Sequence, residues 1–359
     1  MKIKPTILAI VLSLGLSNAF AQESDSTAFH LNYAVGADMS FLKMAEDNGT
    51  EFKDNGVVKP GLDIFRDHGY DWIRLRLFHT PDELPNDLEY TIELAQEAQE
   101  RGMKFLLDYH YADSWADPQK QPLPTAWEGL DYKTLQDSVY EYTKKTIEAF
   151  REAGVMPEMV QIGNEIRNGM MWPTGKLPDN WDAFAGLLKA GIDGVDAGRG
   201  QEMRPLLMVH YDNGADAEGN REFYDNIESY GIPFDIIGLS YYPWWHGNLL
   251  ELRENLLSLM QHYDQDIILV ETAYNWRPSE YTEEGELAPW PETPKGQKDF
   301  LESVHETLIN INSTRIKGIF WWEPAVTGGL RSRGYFDDEG NALPVINVFD
   351  KYKRGLVEE

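Results

Sequence analysis

Short apolar runs alternate along the chain with longer stretches whose apolar positions recur every three to four residues. The first kind suits strands buried on both faces, and the second suits helices with one apolar stripe. The pattern predicts strands at Asn32–Ala37, Trp72–Leu77, Lys104–Tyr109, Met159–Gly163, Leu206–His210, Ile236–Tyr241, Ile267–Val270 and Gly318–Trp321. Between them it predicts helices at Gly61–His68, Leu88–Arg101, Tyr132–Ala153, Trp181–Ala197, Arg221–Tyr230, Leu249–Tyr263 and Gly296–Ile311. A last short helix, Pro344–Tyr352, closes the series. Parallel strands need helical crossovers, so eight βα units in strict alternation read as a closed (β/α)8 TIM barrel of the α/β class. An open doubly wound sheet is the alternative, and the missing Gly-rich phosphate loop after the first strand disfavours it.

The N-terminus stands apart from this alternation. Met1-Lys2-Ile3-Lys4 is basic, Ile7 to Leu16 is apolar, and Ala19-Phe20-Ala21 fits a signal-peptidase site. We therefore expect residues 1–21 to be a cleaved signal peptide and 22–359 to form one catalytic domain. The apolar run is too short to anchor the chain across a membrane, and no other span is expected. Export leads to a periplasmic or extracellular location. With no cysteine in 359 residues, stability must come from one large core, which suggests a bacterial source. A monomer is expected.

Composition narrows the partners. The formal charge is −28, and cleavage after Ala21 removes two lysines more. Such a surface repels phosphate backbones, so nucleic acid is not expected as a partner. The chain carries 11 tryptophans, whose faces suit the C–H faces of sugars, and a neutral polysaccharide is not repelled.

The residues that carry chemistry follow the strands, where barrel enzymes place their active sites. Gln161-Ile162-Gly163-Asn164-Glu165 ends the fourth strand, and Leu269-Val270-Glu271-Thr272-Ala273 ends the seventh. A carboxylate at the end of a buried strand is costly unless it faces the open mouth with partners. Ends of strands 4 and 7 face each other across a ring of eight. A retaining glycosidase needs two opposed carboxyls in this way, one protonated and one ionised. In the second strand Arg74 and Arg76 share a face, and Arg76, nearer the catalytic end, is expected to hold one carboxylate ionised, with an ion pair closing the barrel layer as its alternative.

With these residues the chain resembles glycoside hydrolase family 53, the endo-β-1,4-galactanases, within the retaining (β/α)8 clan. The matching segments are Gly36 to Ser40, Arg74-Leu75-Arg76, Asp108 to Pro118, Gln161 to Glu165, Ser240 to Pro243, Trp245-His246-Gly247, Glu271 to Tyr274, and Gly318 to Pro324. Asp108 to Pro118 and Ser240-Tyr241-Tyr242-Pro243 are the most specific. The resemblance implies that Glu165 protonates the leaving oxygen and later activates water, while Glu271 attacks the anomeric carbon. It implies that Asn164 bonds the sugar 2-hydroxyl and that Tyr242, with Tyr241 as the alternative, touches the nucleophile. His110 is placed at the cleavage site, with a buried histidine satisfied by backbone as its alternative. Asp38, Asp113 and Asp117 are candidates for sugar hydroxyls, and Trp115, Trp245, Trp276 and one of Trp321 and Trp322 for the cleft floor.

One feature departs from that family. Some bacterial relatives bind calcium after strand 7 through Asp-x-Asp-x-His-x-Asn, but here the loop reads Tyr281 to Leu287 without it. The turns Asp212–Asn220 and Asp337–Asn341 lack calcium-loop spacing and read as solvated surface. No metal or cofactor is expected. The competing functions are a related retaining endo-β-glycanase acting on mannan or cellulose, and a glycan-binding protein with a degenerate site.

Overall fold

The computed structural model describes residues 31–278, 288–326 and 328–350. Eight parallel strands close into a barrel: β1 (Ala34–Asp38), β2 (Trp72–Leu77), β3 (Lys104–Tyr109), β4 (Met159–Ile162), β5 (Leu206–Tyr211), β6 (Ile236–Tyr241), β7 (Asp266–Thr272) and β8 (Ile316–Trp322). Each strand pairs with its sequence neighbours, and β8 closes on β1 through Ala34↔Gly318 to Asp38↔Trp322. The main crossover helices are α1 (Gly61–Asp67), α2 (Leu88–Glu100), α3 (Tyr132–Glu152), α4 (Trp181–Gly198), α5 (Ala217–Ser229), α6 (Leu249–His262) and α7 (Pro294–Ile309). No helix among the described residues is long and apolar enough to cross a membrane.

Local chemistry explains the helix starts. Asp87 accepts from the Tyr90 amide ahead of α2, and Asn248 and Glu251 form a capping box at α6. Helix α5 begins four residues before its apolar pattern, because Asp216 accepts from the Gly219 amide and starts the turn there. The expected closing helix is instead a 3₁₀ segment, Pro344–Phe349. Val345, Ile346, Val348 and Phe349 are buried there, a three-residue spacing that suits 3₁₀ geometry.

Two apolar layers hold the barrel. The larger lies between strands and helices; the smaller fills the lower interior with Ala34, Trp72, Leu106, Met159, Met208, Ile236, Ile268, Val270 and Phe320. Gly36 belongs to this interior, and an added Cβ there would lie 2.2 Å from the Phe320 ring. Above the apolar floor the same inward positions turn polar: Asp38, Arg74, Arg76, Asp108, His110, Gln161, His210 and Ser240 are all buried.

Strict alternation would turn Glu271 outward, because Ile268 and Val270 already face in. The register prevents this. Leu239 pairs with Leu269 but Ser240 pairs with Glu271, so Val270 is the extra residue of a β-bulge. The bulge rotates the strand end and aims Glu271 into the mouth. On β4, a left-handed Gly163 (φ 81°) and a left-handed Glu165 (φ 49°) break the strand and redirect its last residues.

Candidate active site

Arg74 organises the floor of the mouth. Its Nη1 lies 2.7 Å from Glu271 Oε1 and 3.0 Å from Asp38 Oδ2. Its Nη2 lies 2.8 Å from Asp108 Oδ2 and donates to Gln161 Oε1 and Asn164 Oδ1, each at 3.0 Å. Burial works against the cation, yet Asp108, Glu271 and Asp38 together hold it charged. Burial also raises Asp108, but Arg74 and His110 bring its carboxyl down to about 2.

The two glutamates sit in different surroundings. Glu271 is buried and raised by that burial, while Arg74 opposes the rise and the Tyr242 hydroxyl donates to Oε2 at 3.0 Å. Glu165 is half-buried, touches no cation among the described residues, and accepts from the Ser240 hydroxyl at 3.0 Å. Burial, then the charges of Glu271 and Asp212, push its carboxyl well above the ordinary glutamate range. One ligand oxygen from each glutamate and a nitrogen of His210 lie within 4.8 Å of one another. Such a triad has the donors for a metal, but His210 already meets Ser240 and Asn164 through its two nitrogens. The arrangement sets two opposed carboxyls apart, one countered by a fixed cation and the other raised further and inclined to keep its proton.

Around them runs a cleft of about 620 Å³. Trp115, Tyr242, Trp245, Trp322 and Arg333 form part of its lining. The Arg333 guanidinium lies 5.4–5.8 Å from the ring centres of Tyr242, Trp244, Trp245 and Trp322. Arg167, 3.1 Å from Asp212, lines the cleft close to Glu165. Flat apolar faces edged with charge suit a chain of sugar rings.

Residues 34–355 match the model of "Glycosyl hydrolase family 53". The chain belongs to this family. It is 38% identical over 301 residues to arabinogalactan endo-beta-1,4-galactanase A of Aspergillus niger, covering 81% of this chain and 84% of that protein. The protein of the same name from Emericella nidulans is 37% identical over 298 residues, covering 80% and 84%. Among solved structures, the family 53 catalytic domain of Ignisphaera aggregans superposes with a TM-score of 0.82 at 32% identity, over 89% of this chain and 96% of that one. A structure described among two fungal beta-1,4-galactanases gives 0.82 at 30% identity, over 90% and 100%. A family 10 endo-beta-1,4-xylanase shares the fold at 12% identity and a TM-score of 0.60.

In this family 53 glycosidase the structure brings Glu165, Glu271, Asn164, Tyr242, His110, Arg76, Asp38, Asp117, Trp115, Trp245 and Trp322 to one cleft. Several expected roles are revised. Arg74, not Arg76, contacts Glu271; Arg76 pairs with Asp38 and Glu323 and lies 4.3 Å from the Trp115 ring centre. The bulge is the reason, since it drops Glu271 to the level of the lower arginine. Asp38 spends its oxygens on Ser40, Arg74 and Arg76. Asp113 braces a loop through the Thr80 and Thr125 amides and does not line the cleft. Trp321 points outward and donates to the Arg333 carbonyl, and Trp276 is tied to the Arg331 carbonyl. Asp212 is buried beside Arg167 in the cleft, not on the solvated surface. His110 meets Asp108 and the Ala116 amide through its two nitrogens, leaving only its ring edge for a ligand. The Tyr281–Leu287 stretch lies outside the described residues.

Sequence reasoning missed Ser240 and His210 beside Glu165, Asp108 under Arg74, Arg333 over the aromatics and Glu323 behind Arg76. Inward strand parity would have found His210, Asp108 and Ser240, with His210 and Asp108 two residues along from the interior Met208 and Leu106, and Ser240 four along from Ile236. Glu323 and Arg333 lie past the last strand, where parity says nothing.

Proposed function

We propose that the protein is an exported endo-acting hydrolase of β-1,4-galactan, the neutral polymer of arabinogalactan type I and pectic galactan, working with retention of configuration. The single observation that carries this reading is the asymmetric glutamate pair, with Arg74 on Glu271 and no cation among the described residues in contact with Glu165. Glu271 attacks the anomeric carbon while Glu165 delivers a proton to the leaving oxygen. Water then enters as Glu165 takes a proton back, and the glycosyl–Glu271 bond breaks. Carboxylate oxygens within 4.8 Å of each other favour this route over inversion, which needs roughly 6.5–9.5 Å between carboxyls. Galactan as the substrate is supported by the names of the relatives, and the open cleft suits binding in mid-chain. The predicted signal segment supports export.

The test is release of reducing ends from a panel of galactan, mannan and cellulose. Turnover of galactan with little on the other two is expected. Equal or better turnover of mannan or cellulose overturns the substrate, and binding of galactan without turnover points to a degenerate binder.

A further inference from the structure

Behind Glu165 a short chain of buried groups runs away from the cleft. The Ser240 hydroxyl reaches Glu165 Oε1 at 3.0 Å, and His210 Nε2 lies 2.8 Å from Ser240 Oγ. Ser240 and His210 are fully buried. His210 Nδ1 faces two groups, the Asn164 Oδ1 at 3.1 Å and the Glu165 backbone amide at 3.4 Å.

Counting donors orients this chain. Asn164 Nδ2 donates to the Ala116 carbonyl, which fixes the amide's orientation. Its Oδ1 receives Arg74 Nη2 at 3.0 Å and faces Gln161 Nε2 at 3.1 Å, which also reaches Asp108 Oδ1 at 2.6 Å and the Gly163 carbonyl at 3.1 Å, whereas the Glu165 amide hydrogen is aimed at His210 Nδ1. The ring nitrogen Nδ1 then accepts from the Glu165 amide. That leaves the proton of a neutral ring on Nε2, which donates to Ser240, which in turn donates to Glu165 Oε1. In the opposite tautomer Ser240 donates to His210 instead. Oε1 could then join the chain only by carrying the acid proton itself, aimed into the protein and away from the substrate.

We propose that His210 and Ser240 form a positioning relay that decides which oxygen of Glu165 carries the proton delivered to the leaving group. With Oε1 occupied as an acceptor, the proton resides on Oε2, the oxygen left for the leaving oxygen. Neither His210 nor Ser240 touches the reacting atoms in this scheme; both act through Glu165. The assignment rests on the reading of Glu165 as the general acid. Glu271, Asp212 and Arg74 also bear on Glu165, and Arg74, Asp108, His110 and His246 bear on His210. Each of these is left in place by the variants below.

The experiment compares two substrates that differ in their need for an acid. One is a linear β-1,4-galactotetraose with a poor leaving group; the other is a dinitrophenyl β-galactobioside, whose phenolate leaves unaided. Glu165→Ala should lose cleavage of the tetraose by on the order of 10²–10⁴-fold while glycosylation by the aryl substrate is nearly kept. Ser240→Ala and His210→Phe should show the same selectivity, with roughly 10-fold or greater loss on the tetraose. His210→Gln, whose amide nitrogen falls near the Nε2 position, should recover most of that loss. Removing the Ser240 donor also removes a bond to the ionised form of Glu165, so the alkaline limb of the rate profile should move to higher pH. In the unsubstituted protein, ¹⁵N spectra should show His210 protonated at Nε2. Equal losses on both substrates in Ser240→Ala and His210→Phe, or an Nδ1-protonated His210, overturn the relay while leaving the acid assignment standing. A Glu165→Ala variant without leaving-group selectivity overturns the acid assignment, and the relay with it.

Discussion

Glu165 and Glu271 are chemically identical side chains set to different tasks by what touches them. Arg74 and Tyr242 favour the ionised form of Glu271, whereas burial and the Glu271 and Asp212 charges favour the protonated form of Glu165. The rate should therefore follow a bell-shaped pH profile, falling at acid pH as Glu271 gains a proton and at alkaline pH as Glu165 loses one. Asp212→Asn removes a negative charge that raises Glu165, so its alkaline limb should move to lower pH; an unmoved limb contradicts the coupling. Glu271→Ala should cut turnover at least about 10⁴-fold with the circular dichroism spectrum unchanged. Stability should move the opposite way at Glu165. Its folded pKa lies above the unfolded value, so its favourable contribution is complete at low pH and is lost as pH rises through the folded pKa. Above the unfolded value the raised pKa is a cost to stability, and Glu165→Gln should raise the Tm by about 1–3 °C. A lowered Tm would show that the ionised carboxylate is well accommodated.

At the scale of elements, the site depends on where regular structure stops. The alternation of short apolar runs with helical repeats made the barrel legible, because parallel strands buried on both faces and amphipathic helices leave strong patterns over many residues. Glutamates at the ends of β4 and β7 were legible for the same reason. The bulge at Val270 was not, since a register shift depends on pairing across to β6 and leaves no mark in the sequence of β7. Arg76 was therefore expected to hold one of the two carboxylates ionised, a part that Arg74 takes on Glu271. The choice between Trp321 and Trp322 follows from Phe320, whose inward placement sends Trp321 out to the helices and Trp322 to the mouth. Asp212 lay hidden in an acidic stretch, because nothing in a charge run tells which carboxylate a distant arginine will cover. The floor beneath the site is tightly filled at Gly36. Gly36→Ala should destabilise by about 1–3 kcal/mol in chemical denaturation. Pairing it with Phe320→Leu should recover part of that loss, and additive losses would show that the two positions do not share the space.

For the whole molecule, the strongly negative charge and the aromatic cleft make separate demands on a substrate. A neutral galactan meets no long-range repulsion, so kcat/KM on it should change by less than about 2-fold between low salt and ~0.5 M. Marked acceleration by salt would mean that the substrate carries charge. The barrel supplies a rigid ring on which eight strand ends converge, and in the proposed mechanism that ring holds two carboxyls at a distance suited to a covalent intermediate. Proton NMR of the anomeric signals during the first minutes of galactan hydrolysis tests this most directly. New reducing ends should appear in the β configuration, with the α form growing only as mutarotation proceeds. Products that appear first as α anomers would contradict the double displacement and the roles given to Glu165 and Glu271.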